Sequence, residues 1–309
     1  MARAAPFEPS RRVLQRRRQQ RRRRLLALAV GLAAVALVAL AALQLGGAFD
    51  SAPRALIDVP SSPKLPAYET PLQTKDPGPA AARAAQQIAD GVLETIPAAL
   101  LIGHAGRGRP WVALTFDDGP SPYTLRVLRI LARHHQHATF FVTGYAATRY
   151  PFELRQIRAS GNAFGDHTVT HRQLTRETPA RRRWELLSTA ERVEGATGVR
   201  PTLFRPPYGE STRAINTMSR QLGLLPVTWS TDSKDWMRAG VKTIVATVLR
   251  GATPGAIILL HDGGGDRTQT LKALPLILNG LAKKHLASVT LPRLLNSQPP
   301  EHGDLLVRS

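Results

Sequence analysis

The feature that most constrains the fold of this chain is the alternation of two kinds of segment after residue 107. Short apolar runs rich in β-branched and aromatic residues occur at 111–116, 138–142, 202–204, 226–230 and 256–260. Between them, residues recur at helical spacing: Leu125, Leu128 and Leu131; Leu271, Leu274 and Leu278; and, less regularly, Trp184, Leu187 and Glu191. Such alternation is typical of βα units. We therefore predict an α/β fold with a parallel sheet or barrel, in which the carboxyl ends of the strands meet at one face.

The first 46 residues have a different character. Residues 1–24 contain ten arginines and one acidic residue, Glu8, and residues 25–43 are all Ala, Val or Leu except Gly31. An apolar run of about 20 residues can cross a bilayer, and basic residues before it favour a cytoplasmic amino terminus. We therefore predict a basic cytoplasmic tail at 1–24 and a transmembrane signal anchor at 25–46. A cleaved signal peptide is the alternative, although no clear Ala-x-Ala site follows the run.

The charge of the chain is strongly positive and unevenly distributed. The formal net charge is +20, and the arginine-rich tail supplies a large share of it. A basic tail of this kind is compatible with nucleic acid or with an anionic membrane surface. Because the apolar run follows it directly, we predict the membrane as the partner and expect no specific nucleic acid.

A proline-rich segment separates the apolar run from the alternating segments. It contains seven prolines between residues 50 and 80 and is followed by an alanine-rich stretch and several glycines. This composition is typical of a semi-rigid spacer. We predict a stalk and linker at 47–106, a catalytic domain at 107–297 and a C-terminal tail at 298–309. The predicted location is the bacterial inner membrane, with the catalytic domain in the periplasm or outside the cell.

Two clusters of possible metal ligands follow apolar runs. The first holds Asp117 and Asp118, two adjacent carboxylates that a cation would stabilise, although the cluster taken alone fits a solvated turn better. The second holds His167 and His171, whose spacing of four would place both imidazoles on one face of a helical turn. Because the chain contains no cysteine, any metal site in it must use histidine and carboxylate ligands.

Three further clusters complete the series. Arg205, Pro206, Pro207, Tyr208 and Gly209 form a rigid turn that carries a permanent cation. A fourth cluster runs from Trp229 through Asp232 and Asp235 to Trp236, and a fifth has the apolar Leu259 and Leu260 before His261 and Asp262. Each cluster alone could be an ordinary loop. Their joint occurrence in this order, most of them beside a strand end, indicates a common site.

In this order, the five clusters resemble the motifs of the polysaccharide deacetylase family, also called the NodB-homology or carbohydrate esterase family 4 enzymes. The resemblance covers about residues 107–295 and leaves out the tail, the apolar run and the stalk. It implies a distorted (β/α) barrel with fewer than eight regular strands, which agrees with the alternation described above. It also implies a hydrolase that removes acetyl groups from carbohydrates.

The resemblance further implies a role for each motif residue. Asp118, His167 and His171 would bind one divalent metal ion, with zinc expected and cobalt as the alternative. Asp117 would be the general base that activates the attacking water, and Arg205 would orient it.

The remaining motif residues would serve the leaving group and the substrate. His261 would protonate the departing amine, and Asp235 would support its charged form. Tyr208 would donate its backbone N–H to the oxyanion. Trp229 and Leu259 would wall an apolar pocket for the acetyl methyl group, and Trp236 would shape the cleft.

One conspicuous motif lies outside these assignments. Three glycines at 263–265 precede Asp266 and Arg267, which suggests a phosphate-binding loop. The run lacks the Gly-Lys-Ser/Thr ending of such loops. We predict that it forms a flexible rim loop.

Three functions are compatible with these expectations. The first is removal of N-acetyl groups from N-acetylglucosamine residues of a cell-envelope polymer, either peptidoglycan or a chitin-like poly-N-acetylglucosamine. The second is an O-acetyl esterase on acetylated glycans such as xylan. The third is a non-catalytic scaffold that binds envelope glycans. The expected partners are an N-acetylated polysaccharide and the membrane, and the catalytic domain is predicted to be monomeric.

Overall fold

The computed structural model describes residues 101–300 and 305–306. The ten strands among these residues are β1 (Leu101–Ile102), β2 (Trp111–Gly119), β3 (Ala138–Val142), β4 (Ala163–Asp166), β5 (Leu203–Phe204), β6 (Leu225–Pro226), β7 (Thr231–Asp232), β8 (Ile257–His261), β9 (Ala287–Ser288) and β10 (Leu305–Leu306). The eight α-helices in the same part of the chain are α1 (Thr124–Arg133), α2 (Gly144–Arg149), α3 (Pro151–Ala159), α4 (Pro179–Thr197), α5 (Arg213–Gln221), α6 (Val241–Gly251), α7 (Thr268–Lys283) and α8 (Leu291–Ser297).

The main sheet is parallel and has β2 at its centre. β2 pairs with β3 on one side and with β8 on the other, and the full order is β6-β5-β4-β3-β2-β8-β7. The short β9 also pairs with the beginning of β2, and β1 and β10 form a separate antiparallel ribbon. The carboxyl ends of the parallel strands therefore lie at one edge of the sheet, as predicted.

The sheet is a curled half-barrel. Among the described residues, no strand pairing joins β6 to β7, so the predicted distorted barrel is only half closed, and the predicted α/β class is confirmed. Next to β6, Ile102 forms a parallel bridge with Val227, and its carbonyl accepts the backbone N–H of Thr228 at 2.7 Å. The chain just after β6 is therefore hydrogen-bonded to the segment that precedes β2.

Both faces of the sheet are buried. Phe140 and Phe141 are neighbours in β3, yet Phe140 packs in one apolar cluster with Leu128 of α1 and Leu274 of α7, and Phe141 packs in a second cluster with Ile257. This division follows from the two-residue period of a strand, whose side chains alternate between faces. Burial of each large apolar side chain contributes about 1.5–3 kcal/mol to folding. The two clusters hold β2, β3 and β8 rigidly beside one another.

The structure corrects two of the strand predictions. The predicted strand at 226–230 is wrong in extent, because strand structure lies at its two flanks, in β6 and β7, and Val227 instead bridges to Ile102. β4 was not predicted, since its four residues include only one large apolar side chain, Phe164. Gly165 of this strand lies so close to the ring of Phe141 that a Cβ atom would clash with it.

The buried face of α4 does not include Trp184. The helix begins at Pro179 after the N-cap Thr178, whose side chain accepts the N–H of Arg181, and it ends at Thr197, which is followed by Gly198 in the left-handed conformation. The helix indicated by the spacing of Trp184, Leu187 and Glu191 is present, but 40% of Trp184 is exposed and its ring stacks under Arg181. The buried residues of α4 are Glu185, Leu186, Thr189, Ala190, Val193 and Thr197. The other two series at helical spacing lie on helices as predicted, with Leu128 and Leu131 of α1 and Leu271, Leu274 and Leu278 of α7 buried and Leu125 half-buried.

The folded region extends beyond the predicted limits of 107 and 297. Ile102 and Gln298 are both buried, and β1 pairs with β10. The predicted tail at 1–24, anchor at 25–46 and first part of the stalk lie outside the described residues. In residues 101–300 and 305–306, the structure contains no helix with the length and hydropathy needed to span a bilayer.

Candidate active site

The end of β2 separates its two aspartates. The pairing register between β2 and β3 shifts between Asp117 and Gly119, and Asp118 has a φ of 70°. As a result, Asp117 is buried, with 2% of its surface exposed, whereas Asp118 reaches the surface of a cavity. Left-handed backbone is uncommon for residues other than glycine and is frequent at functional sites. The turn thus gives two adjacent carboxylates two different environments.

Asp118, His167 and His171 form a compact cluster. The Oδ1 atom of Asp118 lies 3.6 Å from Nε2 of His167 and 3.4 Å from Nε2 of His171, and the three possible ligand atoms lie within 4.8 Å of one another. Ligand atoms bound at about 2.0–2.2 Å to one zinc ion would be separated by similar distances. Nδ1 of His167 lies 2.7 Å from the carbonyl oxygen of Arg205, to which it donates, so that Nε2 is the ring nitrogen directed toward the cluster. The donor set therefore fits a divalent metal ion.

The two histidines come together without a helix. Residues 167–171 form a loop after β4, in which Thr168 and His171 have φ values of 65° and 56°. The predicted helical turn is wrong, although the predicted proximity is confirmed by a distance of 4.9 Å between the two ring centroids. Burial, together with the neighbouring His167, lowers the pKa of His171 and favours its neutral, metal-binding form.

A buried carboxylate that was not predicted fixes this loop. Glu185 of α4 is fully buried, and its Oε2 accepts the backbone N–H groups of Val169 and Thr170 at 2.8 and 2.9 Å. Its Oε1 accepts the Thr170 hydroxyl at 2.7 Å and pairs with Arg181. Glu185 thus holds the two residues between the histidines. In the sequence, Glu185 is simply an acidic residue beside Leu186. Its burial could be inferred only by knowing which face of the helix packs against the protein.

Arg205 lies behind Asp117. Its Nη1 donates to Oδ1 of Asp117 at 2.8 Å and to the Thr115 hydroxyl at 2.7 Å, and its Nη2 donates to the carbonyl of Thr228 at 2.8 Å. The guanidinium also stacks on Phe141, 4.0 Å from the ring centroid. Burial lowers the pKa of Arg205, and the charge of Asp117 opposes this effect. The predicted pairing of Arg205 with Asp117 is therefore present, and it holds one oxygen of the carboxylate.

The other oxygen of Asp117 faces the histidine cluster. Oδ2 lies 3.7 Å from Nε2 of His167, on the side away from Arg205. One carboxylate thus has a fixed oxygen and an oxygen directed at the place where a metal ion and substrate would meet. This geometry suits a group that accepts a proton.

His261, at the end of β8, is held by Asp235. Its Nδ1 lies 2.7 Å from Oδ1 of Asp235, and its backbone N–H donates to Oδ2 at 2.9 Å. Thr270 donates its hydroxyl to the same Oδ2 at 2.8 Å. Burial acts to lower the pKa of His261, but the hydrogen bond and charge of Asp235 outweigh it, so the pKa is raised. Burial likewise opposes ionisation of Asp235, yet its contact with His261 lowers its pKa overall.

A cavity of about 670 Å³ contains most of the predicted site residues. Those that line it are Asp117, Asp118, His167, His171, Tyr208, Trp229, Trp236, Leu259 and His261. Arg205 and Asp235 do not line it but contact Asp117 and His261 from behind. The structure therefore brings together every residue of the predicted site.

Two glycines are required by the walls of this cavity. Gly209, with a φ of 67°, lies against the ring of Trp229, where a Cβ atom would approach the ring to 2.8 Å. Gly264, with a φ of 70°, lies so close that a Cβ atom would clash with Oδ2 of Asp118. Arg267 is buried and donates to the carbonyls of Gly263 and Gly264 at 2.5 and 3.0 Å. The predicted flexible rim loop is thus a hydrogen-bonded turn packed on a candidate metal ligand.

Comparison with known proteins agrees with this site. The family model described as polysaccharide deacetylase matches residues 104–227. This region includes the aspartate pair, both histidines and Arg205, but not Asp235 or His261.

Individual relatives extend over a longer part of the chain. The chain is 38% identical over 187 residues to a peptidoglycan-N-acetylglucosamine deacetylase of Bacillus cereus, which covers 60% of this chain and 87% of the relative. It is 38% identical over 196 residues to a chitooligosaccharide deacetylase of a Bradyrhizobium species, with 59% and 90% covered. A solved structure of a family 4 carbohydrate esterase from Streptomyces lividans in complex with acetate superposes with a TM-score of 0.55 and 38% identity, covering 58% of this chain and 91% of that one. Together with the convergence of the motif residues on one cavity, these matches show that the chain is an enzyme of the polysaccharide deacetylase family.

Proposed function

We propose that this enzyme is a metal-dependent N-deacetylase that acts on N-acetylglucosamine residues of a cell-envelope polysaccharide. The observation that carries the proposal is the convergence of Asp118, His167 and His171 with Asp117 and His261 on one cavity. The names of the relatives, which refer to peptidoglycan and to chitooligosaccharides, support an N-acetylated glycan as the substrate class.

Asp118, His167 and His171 would hold the metal ion, for which zinc is our first choice and cobalt the alternative. When bound, such an ion would polarise the acetamide carbonyl and make the attacking water more acidic. The protein keeps the ligands in place through Glu185, which holds the loop between the histidines, and through the carbonyl of Arg205, which fixes the ring of His167.

Asp117 is the proposed general base. A water molecule adds to the acetamide carbon while Oδ2 of Asp117 takes its proton. Arg205 holds Oδ1 at 2.8 Å, so the carboxylate cannot rotate away from the cluster. General base catalysis by a positioned group contributes about 10²–10⁴-fold to the rate.

His261 is the proposed general acid. As the carbon–nitrogen bond breaks, His261 gives a proton to the nitrogen, so that a free amine and acetate are released. Because Asp235 raises the pKa of His261, the ring keeps this proton at a higher pH than an isolated histidine. The proposed base and the proposed acid are thus held by different neighbours, Asp117 by Arg205 and His261 by Asp235.

The cavity walls suit an acetyl group. Leu259 is buried and Trp229 is half-buried, and together they offer an apolar surface to a methyl group. Tyr208 and Trp236 are exposed by 62% and 49% at the rim, where aromatic faces can pack on a sugar ring. The backbone N–H of Tyr208 is the proposed oxyanion donor, by resemblance to the family motif.

The test uses the full-length protein in detergent, stripped with EDTA and reloaded with zinc or cobalt. We expect acetate and an equal amount of new amine from N-acetylated chitooligosaccharides or peptidoglycan strands, and no activity before reloading. Acetate released only from O-acetylated xylan, with no amine, would replace the proposal with the esterase. Glycan binding without acetate release from any substrate, in protein that holds its metal, would favour the scaffold.

We also propose that residues 25–46 anchor the enzyme in the bacterial inner membrane, with residues 1–24 in the cytoplasm and the catalytic domain in the periplasm or outside the cell. The support is the sequence alone: an uninterrupted apolar run directly after ten arginines. Membrane fractionation of cells, followed by protease treatment of spheroplasts, tests this. We expect the catalytic domain to be degraded from outside and to sediment with the membrane. Recovery in the soluble fraction would contradict the anchor.

A further inference from the structure

A second cavity adjoins the candidate active site. It has a volume of about 790 Å³, and it shares Asp118, His171 and Gly264 with the first cavity. A glycan whose acetyl group occupies the first cavity can therefore extend a neighbouring sugar into the second. Apart from Asp118 and His171, the residues that line this cavity have no role in the assignments above.

One side of this cavity is cationic and aromatic. α2 and the residue after it contribute Tyr145, Arg149 and Tyr150, and the loop after β2 contributes Tyr123. Tyr145 and Arg149 are exposed. Aromatic rings offer flat surfaces for sugars, whereas a guanidinium offers planar hydrogen-bond donors for an anion.

Arg149 is the arginine that lines the second cavity, and no described carboxylate forms an ion pair with it. Arg172 pairs with Glu177 at 3.1 Å and Arg200 pairs with Glu194 at 2.7 Å, but no carboxylate in residues 101–300 forms an ion pair with Arg149. Instead, Nε of Arg149 donates to the Tyr150 hydroxyl at 3.3 Å, and Tyr145 is its other polar neighbour.

The tyrosine contacts leave most of the guanidinium available. A guanidinium has five N–H donors; one of them is used by Tyr150, and Tyr145 is a second hydrogen-bond partner, so further donors stay unused. The arginine lies 5.7 Å from the centroid of the Tyr150 ring, which holds it beside the cavity. A positioned guanidinium with unused donors fits a carboxylate in two parallel hydrogen bonds.

We propose that Arg149 binds a carboxylate on the sugar next to the residue that is deacetylated. The inference rests on the proposed function and narrows its substrate. Chitin-like polymers carry no carboxylate. In the alternating glycan of peptidoglycan, every second sugar carries a lactyl carboxylate, which is free once the stem peptide has been removed. Arg149 therefore selects peptide-free peptidoglycan strands over chitin-like chains.

The test compares four defined substrates with the metal-loaded full-length enzyme. They are N-acetylchitotetraose, the peptide-free tetrasaccharide of alternating N-acetylglucosamine and N-acetylmuramic acid, the methylamide of its lactyl groups, and the same tetrasaccharide with its stem peptides. The methylamide removes the charge and keeps the size. In the peptide-bearing form, the lactyl carboxylate is an amide and the free carboxylates lie on the peptide. This substrate therefore distinguishes a carboxylate on the sugar from a carboxylate on the peptide.

The variants are Arg149→Gln, Arg149→Lys and the control Arg155→Gln, an exposed arginine of α3 that does not line the cavity. We expect wild type to prefer the peptide-free lactyl substrate over its methylamide by about tenfold in kcat/KM, as a charge-assisted hydrogen bond implies. Arg149→Gln should abolish this preference, Arg149→Lys should keep part of it, and Arg155→Gln should keep all of it.

Two results would overturn the inference: an unchanged preference in Arg149→Gln, or Arg149 dependence confined to the peptide-bearing substrate. Failure of the proposed function is distinguishable, because wild type would then release no amine from any of the four substrates. Circular dichroism and metal content of Arg149→Gln show whether a loss arises from the subsite or from damage to the fold.

Discussion

The carboxylate of Asp235 contacts His261 at two points, the ring Nδ1 at 2.7 Å and the backbone N–H at 2.9 Å. One side chain thus fixes both the position of the ring and its charge. Because Thr270 donates to the same carboxylate, Asp235 itself has little freedom to move. The pH behaviour of the enzyme should depend on this pair.

Asp235→Asn should move the alkaline limb of the kcat profile to lower pH. In the wild type, Asp235 raises the pKa of His261, so the protonated acid persists as pH rises and activity falls only when pH passes this raised pKa. The variant loses the carboxylate charge, and His261 then loses its proton earlier. We expect kcat above neutral pH to fall about 10–100-fold. An unshifted alkaline limb in Asp235→Asn would assign the general acid to another group.

Asp117→Asn and His171→Ala should separate turnover from metal binding. Asp117→Asn removes the proposed base but leaves all three ligands, so we expect zinc to stay bound while kcat falls by about 10²–10⁴-fold. His171→Ala removes a ligand, so metal and activity should be lost together. Isothermal titration with zinc and single-turnover kinetics measure the two effects. Equal metal loss in both variants would refute the division of roles between Asp117 and Asp118.

Glu185→Ala should weaken metal binding although Glu185 does not touch the metal site. The change leaves the N–H groups of Val169 and Thr170 without their acceptor, and we expect zinc affinity to drop about 10–100-fold. Glu185→Gln keeps one carbonyl acceptor and should be milder. The control is Glu191→Gln, an exposed residue of the same helix. Competition with a chromogenic chelator measures the affinities, and a normal affinity in Glu185→Ala would contradict the positioning role.

Gly264→Ala should weaken metal binding, because it strains the left-handed backbone and places a methyl group against a candidate metal ligand. Gly264 has a φ of 70°, and a methyl group there would clash with Asp118 Oδ2. We expect at least a tenfold loss of zinc affinity, of the size seen when support around a ligand is disturbed. The matched control is Gly195→Ala in α4, where a Cβ atom meets no neighbour within 4 Å, so the helix should gain up to about 1 kcal/mol. Thermal unfolding and zinc titration of both variants provide the measurement.

Asp262→Asn should reduce the pH dependence of stability in the metal-free enzyme. Burial raises the pKa of Asp262 to about 7, so its protonated form is favoured in the folded state. Its contribution to the free energy of unfolding is therefore complete below the ordinary pKa and is lost as pH rises through about 7. The variant is uncharged throughout. Urea unfolding between pH 4 and pH 8 should show wild type losing stability relative to the variant, and parallel curves would contradict this.

The sequence predicted the chemistry of the site better than its local geometry. Asp117, Arg205 and His261 were identifiable because each lies at or next to the end of an apolar run, and parallel strands bring such ends together. The contact of Arg205 with Asp117 spans 88 residues, and the pairing came only from the resemblance to a family.

Other features depend on tertiary contacts that no short pattern contains. The spacing of His167 and His171 indicated a helix, but the loop takes its shape from Glu185, a residue on a different element. β4 was missed partly because Gly165 has a low strand propensity. Glycine is needed there because the ring of Phe141 leaves no room for a Cβ atom. The curl of the sheet likewise follows from pairings between distant segments.

The bridge at Ile102 has a consequence for the proposed chemistry. Ile102 accepts the backbone N–H of Thr228, Thr228 accepts Nη2 of Arg205, and Arg205 holds Asp117. Three successive hydrogen bonds thus lead from the first described strand to the proposed base. A protease that removes the chain up to Gly103 would remove the carbonyl of Ile102 that accepts from Thr228. We expect kcat to fall under this treatment before the core unfolds.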